Sequence, residues 1–303
     1  MEQRVDGQPV TGDDSSVEGI VNAVSLADRL RVRRIPGEHY VGHPPHGFAQ
    51  RVFGGQLLAQ VLLSATADDG EGRLPASVHA YYHRPGDPDE PIAYQVEALR
   101  RGNTLATWSV TATQQKRVLM SAHVCSAKPT LPATGLRSVA IPQVPEPESL
   151  DPLHVRHAEN AAPDGFNRPP RRDWWTGSRP MDIRYIDGPP TEPRRFWFRT
   201  EPVDGAPQSL HRAILAYASD RSLLPADDHA RGRLGRAGER RVASIDHALW
   251  FHDEVRSGDW ILFSQDCPHS TDALVTARGT MHSRDGRLLA TVVQQGLRQP
   301  AHE

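Results

Sequence analysis

Phe53-Gly54-Gly55-Gln56-Leu57-Leu58-Ala59-Gln60-Val61-Leu62-Leu63 and Leu210-His211-Arg212-Ala213-Ile214-Leu215-Ala216-Tyr217-Ala218-Ser219-Asp220-Arg221-Ser222-Leu223-Leu224 are the two stretches on which the fold is read. Both are dense in apolar residues and read as buried helices. The first opens on two glycines, which permit a close backbone approach at its start. Four strand-like segments follow it: Val78–His83, Ile92–Arg100, Leu105–Thr113 and Val118–Ser126. Pro85-Gly86-Asp87 and Arg101-Gly102-Asn103 punctuate them as turns. The second helix is followed by Ser244–Phe251, Trp260–Asp266, Leu274–His282 and Leu288–Leu297, with turn signals at Gly258-Asp259 and Asp285-Gly286. Phe196-Trp197-Phe198 reads as a further strand ahead of it.

The two halves align by hand. Leu58-Ala59-Gln60 matches Leu215-Ala216-Tyr217, His79-Ala80-Tyr81-Tyr82 matches His247-Ala248-Leu249-Trp250, and Leu119 to Cys125 matches Leu288 to Gln294. Each match is weak, but the order of one helix and four strands repeats as a whole. An antiparallel meander can curve around its own helix, and two such units can share one core. The pattern is that of an α+β protein. It divides into a leader (1–17) expected to be mobile, a first unit (18–128), a Pro-rich linker (129–180, clearest to about Pro170) and a second unit (181–303). Ile20 to Leu30 carries the spacing of a short amphipathic helix.

Composition removes several chemistries. Of 35 basic residues in 303, only Lys116 and Lys128 are lysines, so Schiff-base chemistry has two candidates. Neither lysine is followed by Ser or Thr, so no P-loop is present. A net charge of −2 argues against an extended nucleic-acid surface. Cys125 and Cys267 stand far apart, which excludes a zinc knuckle and fits a reducing, cytoplasmic setting. The polar start lacks the apolar core of a signal peptide, and no apolar run nears the roughly 18 residues of a membrane span.

Familiar motifs are absent or misleading. There is no G-x-S-x-G and no H-E-x-x-H. His79 and His83 have the spacing of helical metal ligands, but their segment reads as a strand, so no metal is expected. Gly232, Gly235 and Gly238 lack both the spacing and the preceding strand of a dinucleotide site, and read as a solvated loop. Gly54-Gly55-Gln56 matches the hydrolytic tripeptide of translation release factors, but here it opens an apolar helix.

Asp220 is the informative residue. A carboxylate in an otherwise apolar helix is costly unless paired or functional. An ion pair with Arg221, or simple exposure at the helix end, is the alternative. The hand alignment sets Leu63 opposite Asp220 and Cys125 opposite Gln294, so only the second half carries this polar set.

Five segments together resemble the type II acyl-CoA thioesterases. They are Arg51-Val52-Phe53-Gly54-Gly55-Gln56, Arg84-Pro85-Gly86-Asp87, Tyr217-Ala218-Ser219-Asp220, Ala243-Ser244-Ile245-Asp246-His247 and Val293-Gln294-Gln295-Gly296. The resemblance runs from about residue 20 to 299, with the motifs in order. It implies a double hotdog: two antiparallel sheets, each wrapped around a long central helix, joined in one chain. It also implies hydrolysis of acyl-CoA to free fatty acid and CoA without a cofactor, by a homo-oligomer, a dimer or larger. The catalytic set carried over is Asp220, Ser244 and Gln294, which position the attacking water. Ser244 departs from the threonine common there; it keeps the hydroxyl and loses the methyl that restricts the rotamer. Such a set suits a thioester, which needs an aimed, basic water and donors for the oxyanion. Gly54, Gly55 and Gln56 are candidates for approach to the carbonyl or pyrophosphate, with tight helix packing as the alternative for the glycines. Arg84, Arg100 and Arg101 are candidates for the CoA phosphates, with a solvated rim as the alternative. A hotdog enoyl-CoA hydratase is a competing reading, faintly echoed at Pro85 to Ile92, but Ala93 stands where its histidine would be. A non-catalytic acyl-CoA-binding module is another, opposed by the complete Asp/Ser/Gln set.

Overall fold

A helix that is apolar almost all round has to be enclosed. Two largely buried helices, the first apolar almost all round, organise the chain, and a computed structural model describes them within residues 25–37, 39–43, 51–67, 69, 72–129, 141–153, 155–156, 181–232 and 242–298. The proposed leader, the first residues of the Ile20–Leu30 segment, and Gly235 and Gly238 lie outside the described residues. Helix α1 (Leu26–Leu30) is capped by Ser25, whose hydroxyl accepts the Asp28 N–H. Helix α2 (Gly54–Thr66) buries most of its length, and α3 (Gln208–Asp220) buries Ala213 through Ser219.

The first half runs β1 (Val32–Ile35), β2 (His39–Gly42), α2, β3 (Leu74–Tyr82), β4 (Ile92–Arg101), β5 (Leu105–Gln114) and β6 (Arg117–Ala127). The second runs β7 (Met181–Ile186), β8 (Arg194–Thr200), α3, a short α4 (Ala226–Ala230), β9 (Val242–Ser244), β10 (Asp246–Phe251), β11 (Ile261–Ser270), β12 (Leu274–Ser283) and β13 (Leu288–Arg298). Strand order across the sheet is β1-β2-β4-β5-β6-β3-β10-β13-β12-β11-β8-β7. The second half repeats the first in mirror sequence about the β3–β10 seam, where Tyr81 pairs with Asp246 and Ser77 with Trp250. The two wrapped sheets therefore meet edge to edge as one antiparallel surface. This is the double hotdog, an α+β fold.

Alternation along the strands shows how the helices are held. β5 buries every second residue, including Ala106, Trp108, Val110 and Ala112, as a sheet with one face on the core must. Leu57, Leu58, Val61 and Leu62 of α2 share one core with Val78, Trp108, Met120 and Val124, and with Leu215, Phe196, Phe263 and Val292 of the second half. Full burial of a leucine such as Leu58 contributes about 1.5–3 kcal/mol.

The strands after each helix lie where the pattern places them, within a few residues. Three short strands before the helices, β1, β2 and β7, carry no clear period; β1 and β7 are edges, and Arg33, Arg34 and Arg184 leave them little apolar signal. The described part of the Pro-rich linker is packed. Ile141, Val144 and Leu150 lie against Trp197, Trp260 and Leu262, and the Trp197 indole donates to the Pro145 carbonyl at 2.9 Å.

The hand alignment of the repeats needs a correction. It set Cys125 opposite Gln294 and His79 opposite His247. Gln294 and His247 are fully buried, whereas His79 is exposed and Cys125 partly so, on an outward groove with Ser77, Thr107 and His123. A slip of one residue exchanges the faces of a strand. The inward neighbours Val124 and Ser126 belong to the face that Gln294 occupies in β13.

Candidate active site

Asp220 is the last residue of α3, where its charge opposes the negative end of its own helix dipole. It is not at the surface, since its side chain is 4% exposed. What faces it is the start of α2. A Cβ built on Gly54 would lie 2.7 Å from Asp220 Oδ2 and 2.9 Å from Tyr82 Cε1. The two helices thus run antiparallel, and the positive end of α2 meets the acid at the end of α3. No side chain caps α2 at Phe53. The Phe53 carbonyl accepts the Gln56 and Leu57 N–H groups; the N–H groups that open a helix otherwise have no partner within it.

Gly55 serves the same approach differently. A Cβ there would meet the Tyr217 carbonyl at 2.5 Å, so its missing side chain lets the helices pack. Phe53 stacks edge-on to Tyr217, with centroids 5.0 Å apart. Gln56 is buried and its Nε2 donates to the His43 carbonyl, which ties the segment before the helix to it.

The polar partners come from β9, β10 and β13. Gln294 Nε2 donates to Asp220 Oδ1 at 2.7 Å and to Ser244 Oγ at 3.0 Å. Its Oε1 is buried without a protein partner. Opposite β13, Gly296 pairs with Ser244 but Val293 pairs with Ala248, so the β9–β10 side holds one extra residue. This is a β-bulge at Ile245–Asp246, with the Asp246 carboxylate accepting the Gln295 N–H at 2.7 Å. On a regular strand, residues three apart point to opposite faces. The bulge lets Ser244 reach Gln294 while His247 reaches Asp220. The sequence reading of Ser244–Phe251 as one continuous strand is corrected here. The Ile245 carbonyl also takes the Tyr82 N–H, pinning the end of β3 to the site.

His247, Ser219 and Tyr82 complete the surroundings, and the sequence reading gave none of them a role. His247 Nδ1 stands 3.6 Å from Asp220 Oδ1, and its Nε2 is 2.9 Å from Ser219 Oγ. The Tyr82 hydroxyl is buried beside Asp220. Burial first, and then the Asp220 charge, hold it protonated well above the usual phenol range. The visible signals were the His of Ser-Ile-Asp-His and the second Tyr of His-Ala-Tyr-Tyr, both quoted as motif or repeat but assigned no chemistry.

The arginines fall in two places. Arg84 is exposed two residues beyond Tyr82, and its guanidinium donates to the Val118 carbonyl. Arg100 and Arg101 lie at the other end of the sheet, with Arg101 over the Trp108 ring at 4.9 Å. Arg100 pairs with Thr107, in the row of Cys125 and Ser77, five residues along β3 from Tyr82. That is about 16 Å at the rise of a strand. Among the described residues no His/Cys/Asp/Glu group is arranged to hold a metal ion, and no helix is long and apolar enough to cross a membrane.

The start of α3 is tied to its surroundings by polar bonds. Arg212 donates to the Pro75 and Asp253 carbonyls and stacks on Phe251, while Gln208 bonds both ways with the Val255 backbone. A buried acid with an amide partner, itself bonded to a hydroxyl, sits at the meeting of the two hotdog units. Comparison with known proteins gives the class. Residues 171–297 match the acyl-CoA thioesterase family and 43–127 the acyl-CoA thioesterase N-terminal domain. Acyl-CoA thioesterase 2 of Haemophilus influenzae is 33% identical over 83% of this chain and 88% of its own. Acyl-coenzyme A thioesterase 8 of Mus musculus is 28% identical over 94% of this chain and 92% of its own. A tesB protein from Mycobacterium avium subs paratuberculosis is structurally similar at TM-score 0.73, with 29% identity over 90% of this chain and 97% of that one. The chain belongs to the acyl-CoA thioesterase II family, and it is an enzyme that hydrolyses acyl-CoA thioesters.

Proposed function

We propose that Asp220, Ser244 and Gln294 hold and activate the water that attacks the thioester carbonyl of a fatty acyl-CoA. The supporting observation is the double donation of Gln294 Nε2 to Asp220 and Ser244, which locks three side chains from α3, β9 and β13 into one unit. With both amide hydrogens spent, Gln294 offers the water its Oε1 acceptor, and Ser244 keeps its own O–H for donation. Asp220 accepts a water proton as the C–O bond forms. The first-turn N–H groups at Gly54 and Gly55 and the dipole of α2 stabilise the developing oxyanion. The tetrahedral intermediate then collapses, the C–S bond breaks, and the proton passes to the CoA sulfur.

Arg84, beside the site, is assigned to the CoA phosphates, with Arg100 and Arg101 as more distant contributors. The two free cysteines support a reducing, cytoplasmic setting. A homo-oligomer is part of the same reading, and sedimentation analysis tests it.

The test of the chemistry is thiol release from acyl-CoAs of graded chain length, followed with a chromogenic disulfide. Wild type is expected to release thiol, and Asp220→Asn to lose at least about 100-fold in kcat. Full activity in that variant overturns the mechanism. CoA binding without thiol release at any chain length overturns the function.

A further inference from the structure

His247 carries an orphaned atom that the Asp/Ser/Gln unit does not use. The side chain is fully buried, one step along β10 from the Ala248–Val293 pair, so it lies beside Gln294 on the inward face. Its tautomer follows from hydrogen-bond bookkeeping. Ser219 has one hydroxyl proton, and Ser219 Oγ donates it to the Ala216 carbonyl at 2.8 Å. Toward His247 Nε2, at 2.9 Å, Ser219 Oγ is therefore an acceptor, and Nε2 carries the hydrogen.

In the neutral ring this leaves Nδ1 with a bare lone pair. Nδ1 is buried, has no hydrogen-bond partner, and faces Asp220 Oδ1 at 3.6 Å. Two acceptors facing each other in a buried site repel, and a proton placed between them turns that repulsion into a charge-assisted hydrogen bond. The other neighbours do not compete for Nδ1. The Gln294 amide hydrogens go to Asp220 and Ser244, Asp246 takes the Gln295 N–H, and Ala80 lies opposite on β3. Tyr82, also beside Asp220, stays protonated.

We infer that His247 is a positioning residue that takes up, through Nδ1, the proton Asp220 removes from the attacking water. The inference rests on the function proposed above. One proton moves from water to Asp220 as the C–O bond forms, then to His247 Nδ1, which restores the carboxylate. As the C–S bond breaks, the sulfur takes the electron pair and the same proton returns through Asp220 to it. The ring closes by less than 1 Å to make the transfer, a tightening common when substrate binds.

Nitrogen-15 NMR of histidine-labelled protein tests the resting state. The expected spectrum is the neutral ring with hydrogen on Nε2 and a bare Nδ1. A resting imidazolium, or hydrogen on Nδ1, overturns the inference. Kinetically, His247→Gln keeps an amide donor toward Ser219 but has no basic atom. It is expected to lose about 100-fold in kcat with KM within about twofold. In an Asp220→Asn background the same change should cost little more, because the two groups act as one. Full additivity, or a loss confined to KM, overturns the inference. Should His247→Gln not fold, Ser219→Ala removes the acceptor at Nε2 and is expected to move the hydrogen to Nδ1; an unchanged tautomer overturns it. Wild type without thiol release would refute the proposed function itself, whereas an active wild type with an undiminished His247→Gln kcat refutes only the proton transfer.

Discussion

Replacing Gly54 with alanine adds one methyl group at the point where the two halves of the molecule meet. The new Cβ would stand 2.7 Å from Asp220 Oδ2 and 2.9 Å from Tyr82 Cε1. Ordinary contact needs about 3.5 Å or more, so the acid or the ring has to retreat by most of 1 Å. Both are hemmed in: Asp220 by Gln294 and His247, and Tyr82 by the bond from its N–H to Ile245. Alanine in a helix is worth about 1 kcal/mol over glycine, and overpacking costs about 1–3 kcal/mol. The net effect on stability is thus a loss of about 2 kcal/mol at most. The effect on rate is larger, since a 1 Å misplacement of a catalytic group costs about 100-fold. The backbone N–H at position 54 is unchanged, so the loss reports on the carboxylate and not on the oxyanion donors. We expect kcat to fall about 100-fold in the thiol-release assay, with thermal unfolding shifted by only a few degrees. Wild-type kcat in a folded Gly54→Ala enzyme would refute the argument that α2 aims Asp220.

Ser244→Thr adds a rotamer-restricting methyl while keeping the hydroxyl, and is expected to hold or raise kcat a few-fold; Ser244→Ala should lower it about tenfold, and the reverse order would count against the role given to the hydroxyl. Burial and then Asp227 push the Cys267 thiol up to about 11, so it should react slowly with the chromogenic disulfide at pH 8 and faster as pH approaches 11, which a protein-only blank measures. The same shift favours the folded state below the thiol's ordinary value near 9 and is lost as pH rises through about 11, so chemical denaturation should show a small decline only in that alkaline window. Trp197→Phe removes the indole bond to Pro145 and should cost about 1 kcal/mol, read as a lowered denaturant midpoint with unchanged kcat.

Much of this architecture was legible in residue order. The helices read over Phe53–Leu63 and Leu210–Leu224 announced themselves by apolar density, though the second ends at Asp220, and the strands after each by alternation, because one face of every central strand is buried. The edge strands were not legible. Val32–Ile35 and Met181–Ile186 have one paired neighbour or solvent to satisfy, and they keep arginines where a period would otherwise show. The seam between β3 and β10 was also hidden, because pairing between halves leaves no local signature. At the site, Asp220 stood out as an acid in an apolar helix. Ser244 and Gln294 look ordinary in isolation, and they converge only through the bulge at Ile245–Asp246, whose extra residue no pattern of period two can anticipate.

The seam also decides what each half is worth alone. Along β3, residues 77 to 81 satisfy their outer edge on β10, and the reverse holds. A first half released by cutting the linker would present that edge bare, and the nearest complementary edge in solution is another copy of itself. Such a pair would hold two glycine-led helix ends and neither acid, and a pair of second halves would hold two acids and neither glycine end. Joining unlike partners in one polypeptide thus enforces the heterologous match, and it leaves the start of α3, where Arg212 bonds Pro75 and lies over Phe251, to packing.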